Sequence, residues 1–192
     1  MINKVLRAIT FRLLCKSRIL LYRLLSSSRI DGKIILNQPV LALGLGRIVV
    51  GNSVNLGFFP SPHFFSTYAH LEARQSDALI AIGDNAYINN GFVAIAEQTQ
   101  IIIGRNCYLG TKVEIYDSDF HALGPEDRLN GTKPSAQEVR IGNHVFIGSN
   151  VKILKGVTVG DGVVIANGSI VTRDIPENSI AAGIPATVIK NI

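Results

Sequence analysis

A six-residue repeat between Ile141 and Ile175 constrains the fold of this chain more than any other feature. Six consecutive units read IGNHVF, IGSNVK, ILKGVT, VGDGVV, IANGSI and VTRDIP. Each unit begins with a β-branched aliphatic residue, its second residue is small except at Leu154, and its fifth is aliphatic except at Ser169. A period of six fits neither the 3.6-residue period of an amphipathic helix nor the alternation of a half-buried strand.

A solenoid whose unit is one short strand and one turn explains this period. β-Branched residues pack well on pleated strands, and Gly, Asn and Asp tolerate the positive φ angles needed at corners. Three units would close one triangular coil, and successive coils would pair as parallel strands about 4.8 Å apart. The alternative is an ordinary parallel sheet, but the helical crossovers that it needs do not lie between these segments.

The chain's 192 residues suit one domain with a small appendage. Cys15 and Cys107 lie in unlike contexts, one in a basic segment and one in a repeat. We therefore expect two reduced thiols and a cytoplasmic protein.

The net charge of +5 comes from the N-terminal arm. Residues 1–30 hold seven basic residues and no acidic one, whereas the remainder holds twelve basic and fourteen acidic residues. The body of the protein is therefore slightly acidic, which gives no support to nucleic-acid binding.

The arm is expected to contain a helix over residues 4–25. Its apolar residues recur at helical spacing on one side, with Phe11 and Ile19 outside that side: Leu6, Ile9, Leu13, Leu20, Leu21 and Leu24. Basic residues interrupt every apolar run, which excludes a spanning helix and a secretory signal. Two interpretations remain: the helix lies on the inner, anionic face of a membrane, or it packs on its own repeats or on a neighbouring subunit.

Two segments interrupt the repeat. Residues 58–79 hold Pro60, Pro62 and five aromatic residues, and we expect this segment to leave the coil and pack on it or to shape a pocket. The repeat slips by three residues between Ala94 and Ile103, and then gives way to a polar loop over residues 116–138. Loops on a rigid scaffold are common places for chemistry.

Among the four histidines, His121 is the candidate for catalysis. His144 occupies a position in the repeat that faces outward, and His63 and His70 have no recognisable partner. His121 lies in the polar loop, close to Asp117 and Asp119. A nearby carboxylate can hold an imidazole in one tautomer and raise its basicity.

Beyond the repeat itself, the SDFH motif at 118–121, the block IGSNVKILKGVTVGDGVVIANGSIVTRDIP and the closing AAGIPATVIK resemble the hexapeptide-repeat acyltransferases. The chain is similar to the galactoside and maltose O-acetyltransferases and to the acetyltransferases of surface-polysaccharide synthesis. The resemblance is strong over residues 80–192 and loose over residues 34–57.

The resemblance implies an all-β fold, a left-handed parallel β-helix over residues 31–192, preceded by the helical arm at 1–30. It also implies a homotrimer with active sites between subunits and acetyl-CoA as the donor of an acetyl group to a sugar or glycan. His121 matches the family's general base, and Ser149 matches a donor to the oxyanion.

Other positions are assigned by the same resemblance. The expected contacts with the coenzyme are Asn167, Thr172, Arg173 and Lys190, while Thr187 replaces an arginine that some relatives carry. Asn89 and Glu97 match positions that hold sugar hydroxyls and the histidine.

Two other functions compete with this hypothesis. A zinc enzyme on the same fold would need three imidazoles per metal, but no close second histidine follows His121, so we expect no metal. A non-catalytic solenoid that serves as a scaffold or binding surface is the main alternative.

Overall fold

The computed structural model describes residues 2–192, so that Met1 of the predicted arm lies outside the described residues. Helix α1 spans Ile2–Leu25. The remaining secondary structure consists of short strands and one short helix, α2 (Pro125–Leu129), in the polar loop. The strands are β1 (Ile30–Leu36), β2 (Val40–Gly44), β3 (Arg47–Leu56), β4 (Ala69–Ala73), β5 (Leu79–Ile82), β6 (Tyr87–Ile88), β7 (Val93–Ala96), β8 (Gln100–Ile103), β9 (Tyr108–Leu109), β10 (Glu114–Tyr116), β11 (Val139–Ile141), β12 (Phe146–Ile147), β13 (Lys152–Ile153), β14 (Thr158–Val159), β15 (Val164–Ile165), β16 (Ile170–Val171), β17 (Ser179–Gly183) and β18 (Ala186–Asn191).

These strands form the three faces of a prism. The first face stacks the N-terminal halves of β1 and β3 with β5, β8, β11 and β14. The second stacks the C-terminal halves of β1 and β3 with β6, β9, β12, β15 and β17. The third face stacks β2, β4, β7, β10, β13 and β16. Pairing within each stack is parallel, and the chain visits the three faces in turn. The fold is the parallel β-helix that the repeat predicts, with the left-handed winding that the resemblance implies.

Columns of aliphatic side chains fill the prism. One column runs through Leu56, Ile88, Leu109, Ile147 and Ile165, each in register with the next and each almost fully buried. These are first positions of the hexads, so the sequence period sets the core directly. Burial of each such side chain contributes about 1.5–3 kcal/mol before entropy is counted.

The lengths of the coils match the repeat and its interruptions. Ser149 and Asn167 occupy equivalent places 18 residues apart. Asn85 and Asn106 are 21 residues apart, which confirms the predicted slip of three residues. Thr111 and Ser149 are 38 residues apart because the polar loop is inserted in that coil.

The aromatic segment leaves the coil over a shorter range than expected. The sequence predicted an interruption over residues 58–79, but β4 restores the third face at Ala69 and β5 begins at Leu79. Alternation of buried and half-buried residues in β4 replaces the hexad signature there, so the period alone missed this strand. Only residues 58–68 project, and they pack beside α1.

Helix α1 packs on its own prism with the side opposite to the predicted one. Phe11 contacts the rings of Phe59 and Phe64, with centroids 4.7 and 6.0 Å away. The Arg18 guanidinium donates to the carbonyl oxygens of Phe64 and Thr67 at 3.0 and 2.8 Å. The leucine side that the pattern marked as apolar is exposed instead.

Candidate active site

Two edges of the prism carry all the predicted site residues except Lys190. We call the edge between the second and third faces the serine edge; it is formed by the turns at 89–92, 110–113, 148–151 and 166–169. The histidine edge, between the third and first faces, is formed by residues 74–78, 97–99, 116–138, 154–157 and 172–174.

His121 lies at the start of the loop on the histidine edge, with an exposed side chain. Its amide donates to the Asp119 carbonyl oxygen at 2.8 Å. Phe120, directly before it, has a φ of 62°, a conformation that bulky residues rarely adopt. Such strain persists only where surrounding contacts enforce it, and it is typical of functional sites.

Two side chains pack against Phe120. The Phe120 ring lies edge-on to Tyr116, with centroids 5.3 Å apart, and the Arg74 guanidinium carbon lies 5.0 Å from the Phe120 centroid. Arg74, Tyr116, Phe120 and His121, with Ile95 and Asp119, line an open cavity of about 540 Å³.

Glu97 belongs to the same edge through Arg74. The Arg74 guanidinium donates to Glu97 Oε2 at 2.7 Å and to Glu72 Oε1 at 2.9 Å. Burial acts to raise the pKa of Glu72, but hydrogen bonds to His70 and Arg74 outweigh it and lower the pKa below its ordinary value. The structure therefore brings Glu97 and His121 to one edge, joined by Arg74 and Phe120.

Neither Asp117 nor Asp119 holds the His121 imidazole, which corrects the hypothesis drawn from their spacing. The buried Asp117 carboxylate accepts hydrogen bonds from the amides of Glu97 and Thr99, at 2.6 and 2.8 Å. The Asp119 carboxylate lies 2.7 Å from the ammonium of Lys155. Both carboxylates shape the edge around the histidine, because each ties a different segment to the loop.

Ser149 on the serine edge is held by its neighbours in the adjacent coils. Its amide donates to Asn167 Oδ1 at 2.7 Å, and its hydroxyl oxygen accepts from the Thr111 amide at 3.1 Å. Because the hydroxyl is an acceptor in that contact, its proton is available to donate to another group. Asn167 is itself exposed and acts here by orienting the Ser149 turn.

Asn89 borders a second cavity, of about 430 Å³, on the outer side of the second face. Tyr87 and Tyr108 stack there with centroids 5.3 Å apart and planes 6° from parallel, and Phe146 continues the row. The sequence reasoning missed these aromatic residues. The signal was present, since all three precede a buried aliphatic residue at the same place in the repeat.

The remaining predicted residues are separate from Ser149 in a single chain. Thr172 and Arg173 are exposed on the histidine edge, directly after β16. Lys190 is exposed in β18, which pairs antiparallel with β17 at the last coil. One subunit thus places the expected coenzyme contacts in three locations.

The described part of the chain offers no cluster of three or more His, Cys, Asp or Glu residues arranged to hold a metal ion. Neither helix described within residues 2–192 could cross a lipid bilayer.

Comparison with known proteins finds one matching family model and several similar acetyltransferases. The bacterial transferase hexapeptide family, defined by six repeats, matches residues 138–173. Galactoside O-acetyltransferase of Escherichia coli is 43% identical over 113 residues, which cover 59% of this chain and 54% of that protein. Nodulation protein L of Rhizobium meliloti is 43% identical over 109 residues, covering 57% of this chain and 58% of the relative.

A solved structure of galactoside acetyltransferase in complex with coenzyme A superposes with a TM-score of 0.59 at 25% identity, covering 95% of this chain and 82% of that one. Residues 138–173 therefore match the hexapeptide-repeat family, and the chain shares its fold with a solved acetyltransferase. The chain spans 54–63% of the length of the curated relatives that it matches first.

Proposed function

We propose that this protein is an acetyl-CoA-dependent O-acetyltransferase that acts on a sugar or glycan precursor, with His121 as the general base. The observation that carries the proposal is the exposed imidazole at the cavity mouth, fixed by a strained Phe120 that Arg74 and Tyr116 hold. Relatives named for galactoside and polysialic acid O-acetylation support the class of acceptor.

The chemistry needs one base and one oxyanion donor. His121 takes the proton of a sugar hydroxyl as its oxygen attacks the thioester carbonyl carbon, so that the carbonyl oxygen becomes negatively charged. The free hydroxyl proton of Ser149 is suited to stabilise that oxyanion. When the intermediate collapses, the carbon–sulfur bond breaks, and the protonated histidine returns its proton to the departing thiolate of coenzyme A.

The positions of these groups support a site shared between subunits, and we propose a homotrimer. His121 and Ser149 lie on different edges of one prism, separated by the third face, and a face of this kind is about 15–20 Å wide. One imidazole and one hydroxyl at that separation cannot act on the same carbonyl group. We propose that the histidine edge of one subunit faces the serine edge of the next, which closes each site between two chains.

This arrangement also assigns the binding residues. Asn167 of the serine edge, and Thr172 and Arg173 of the histidine edge, would line the same cleft and contact the coenzyme arm. Lys190 would meet its phosphates at the C-terminal end of the prism. Asn89 and Glu97 would hold the sugar hydroxyls, with Arg74 fixing the orientation of the Glu97 carboxylate.

Acetyl-CoA and two free thiols suit a cytoplasmic location, which we propose for the protein. Release of free thiol from acetyl-CoA in the presence of a panel of sugars tests the activity. His121→Ala should lower kcat by about 10²–10⁴-fold. Unchanged turnover in that variant would remove His121 from the mechanism, and a lack of turnover with every sugar, together with no heat of coenzyme A binding, would favour a scaffold.

A further inference from the structure

Helix α1 presents a row of apolar side chains to the outside. We call it the leucine ridge: Leu6, Ile9, Leu13, Leu20 and Leu24. Leu13 is 64% exposed, Leu20 57% and Leu24 74%. Single exposed apolar residues are ordinary on a protein surface, but a contiguous row of them marks an interaction site.

The ridge cannot be covered by its own prism. Phe11, Arg18 and Tyr22 occupy the opposite side of the helix and anchor it to residues 58–68. With 3.6 residues per turn, Leu13 and Leu20 point about 180° away from those anchors. The anchoring contacts therefore fix the ridge in an outward orientation.

Positive charge borders the ridge. Arg12, Lys16 and Arg23 are exposed and lie beside it on the helix, and none of the three forms an ion pair within the described residues. The whole arm over residues 1–30 contains no acidic residue. Leucines on one side with flanking basic residues are the pattern of a helix that lies in the surface of an anionic membrane.

We propose that the leucine ridge docks α1 onto an anionic lipid surface, with Arg12, Lys16 and Arg23 reaching phosphate-bearing headgroups. A second copy of the chain is the less suitable occupant, because two such helices would bring identical positive charges together without a matching negative surface. Docking would keep the prism close to the membrane, with α1 between them.

The test uses the full-length protein and sedimentation with vesicles of phosphatidylcholine, alone or mixed with phosphatidylglycerol. We expect binding to the anionic vesicles alone, weakened by added salt. The double variant Leu13→Glu with Leu20→Glu should reduce the partition coefficient by about 100-fold or more. The triple variant Arg12→Gln, Lys16→Gln and Arg23→Gln should reduce it by about 100-fold, since each basic residue contributes about fivefold.

Leu45→Glu is the control, because Leu45 is even more exposed than Leu13 and Leu20 but lies in the turn between β2 and β3 and not on α1. It should bind vesicles like the unmodified protein, and the circular dichroism of every variant should be unchanged. Equal sedimentation with neutral and anionic vesicles, or unimpaired binding by the ridge variant, would overturn the proposal. The other outcome is that the unmodified protein does not bind vesicles and the ridge variant forms smaller oligomers in light scattering. The ridge would then be a contact between two copies of the chain.

Discussion

Arg74 donates a 2.7 Å hydrogen bond to Glu97 across two neighbouring coils of the third face. The same guanidinium lies over the Phe120 ring, next to His121. A carboxylate expected to bind the sugar and the loop expected to bear the catalytic base are therefore fixed by one side chain. This makes Arg74 a positioning residue, and its effects should differ from those of His121.

Arg74→Met is expected to lower kcat by about tenfold or more, because misplacement of a catalytic group by about 1 Å can have that effect or a larger one. The KM for acetyl-CoA should stay within about twofold, since Arg74 lies away from the coenzyme contacts proposed here. Arg47→Met, an exposed position at the start of β3, is the control. A higher KM for acetyl-CoA with an unchanged kcat would show that Arg74 contributes to binding of the donor instead.

Glu72→Gln should reveal a pH-dependent contribution to stability. The lowered pKa of Glu72 in the folded protein means that its contribution is complete above the ordinary value of 4.5 and is lost as the pH falls through the folded pKa. The difference in free energy of unfolding between the two proteins should thus be largest near neutral pH and shrink below pH 4.5. Denaturant titrations at several pH values measure it, with Glu126→Gln in the exposed loop as control; a difference that grows on acidification would contradict the assignment.

Asp117→Asn should destabilise the protein by about 1–3 kcal/mol. The carboxylate accepts four hydrogen bonds, from three consecutive amides and the Thr99 hydroxyl, whereas a carboxamide offers one oxygen and turns its own donors toward the other amides. Urea unfolding at fixed protein concentration checks this, with the exposed Asp77→Asn as control. A variant as stable as the parent would mean that the turn at 97–99 does not need the charge.

Cys107 should resist alkylation while the protein is folded. It is fully buried in a core column between Ala86 and Val145, and burial raises the pKa of its thiol, which lowers the fraction of reactive thiolate. Mass spectrometry after iodoacetamide treatment should find Cys107 modified only in denaturant. Labelling of Cys107 in the native protein would indicate that this coil opens.

The prism could be predicted well from the sequence, because the residues that recur every six places are the residues that fill its core. First and fifth positions of the hexads became buried columns, and the three-residue slip became the turn that Asp117 caps. The side of α1 that packs could not be predicted, since it depends on where Phe59, Phe64 and the carbonyl groups of residues 64–67 lie in space. Likewise, the partners of Asp117 and Asp119 come from segments distant in sequence, so proximity to His121 along the chain was misleading.

The central claim is that each site combines the histidine edge of one subunit with the serine edge of another. Coexpression of differently tagged His121→Ala and Asn89→Ala chains, followed by purification of mixed oligomers, tests it most directly. Each variant alone should be nearly inactive, and a purified mixed trimer should regain about a third of the normal activity, because one of its three clefts then pairs two intact edges. If the mixed oligomers stay as inactive as the separate variants, both edges act within one chain and the account is contradicted.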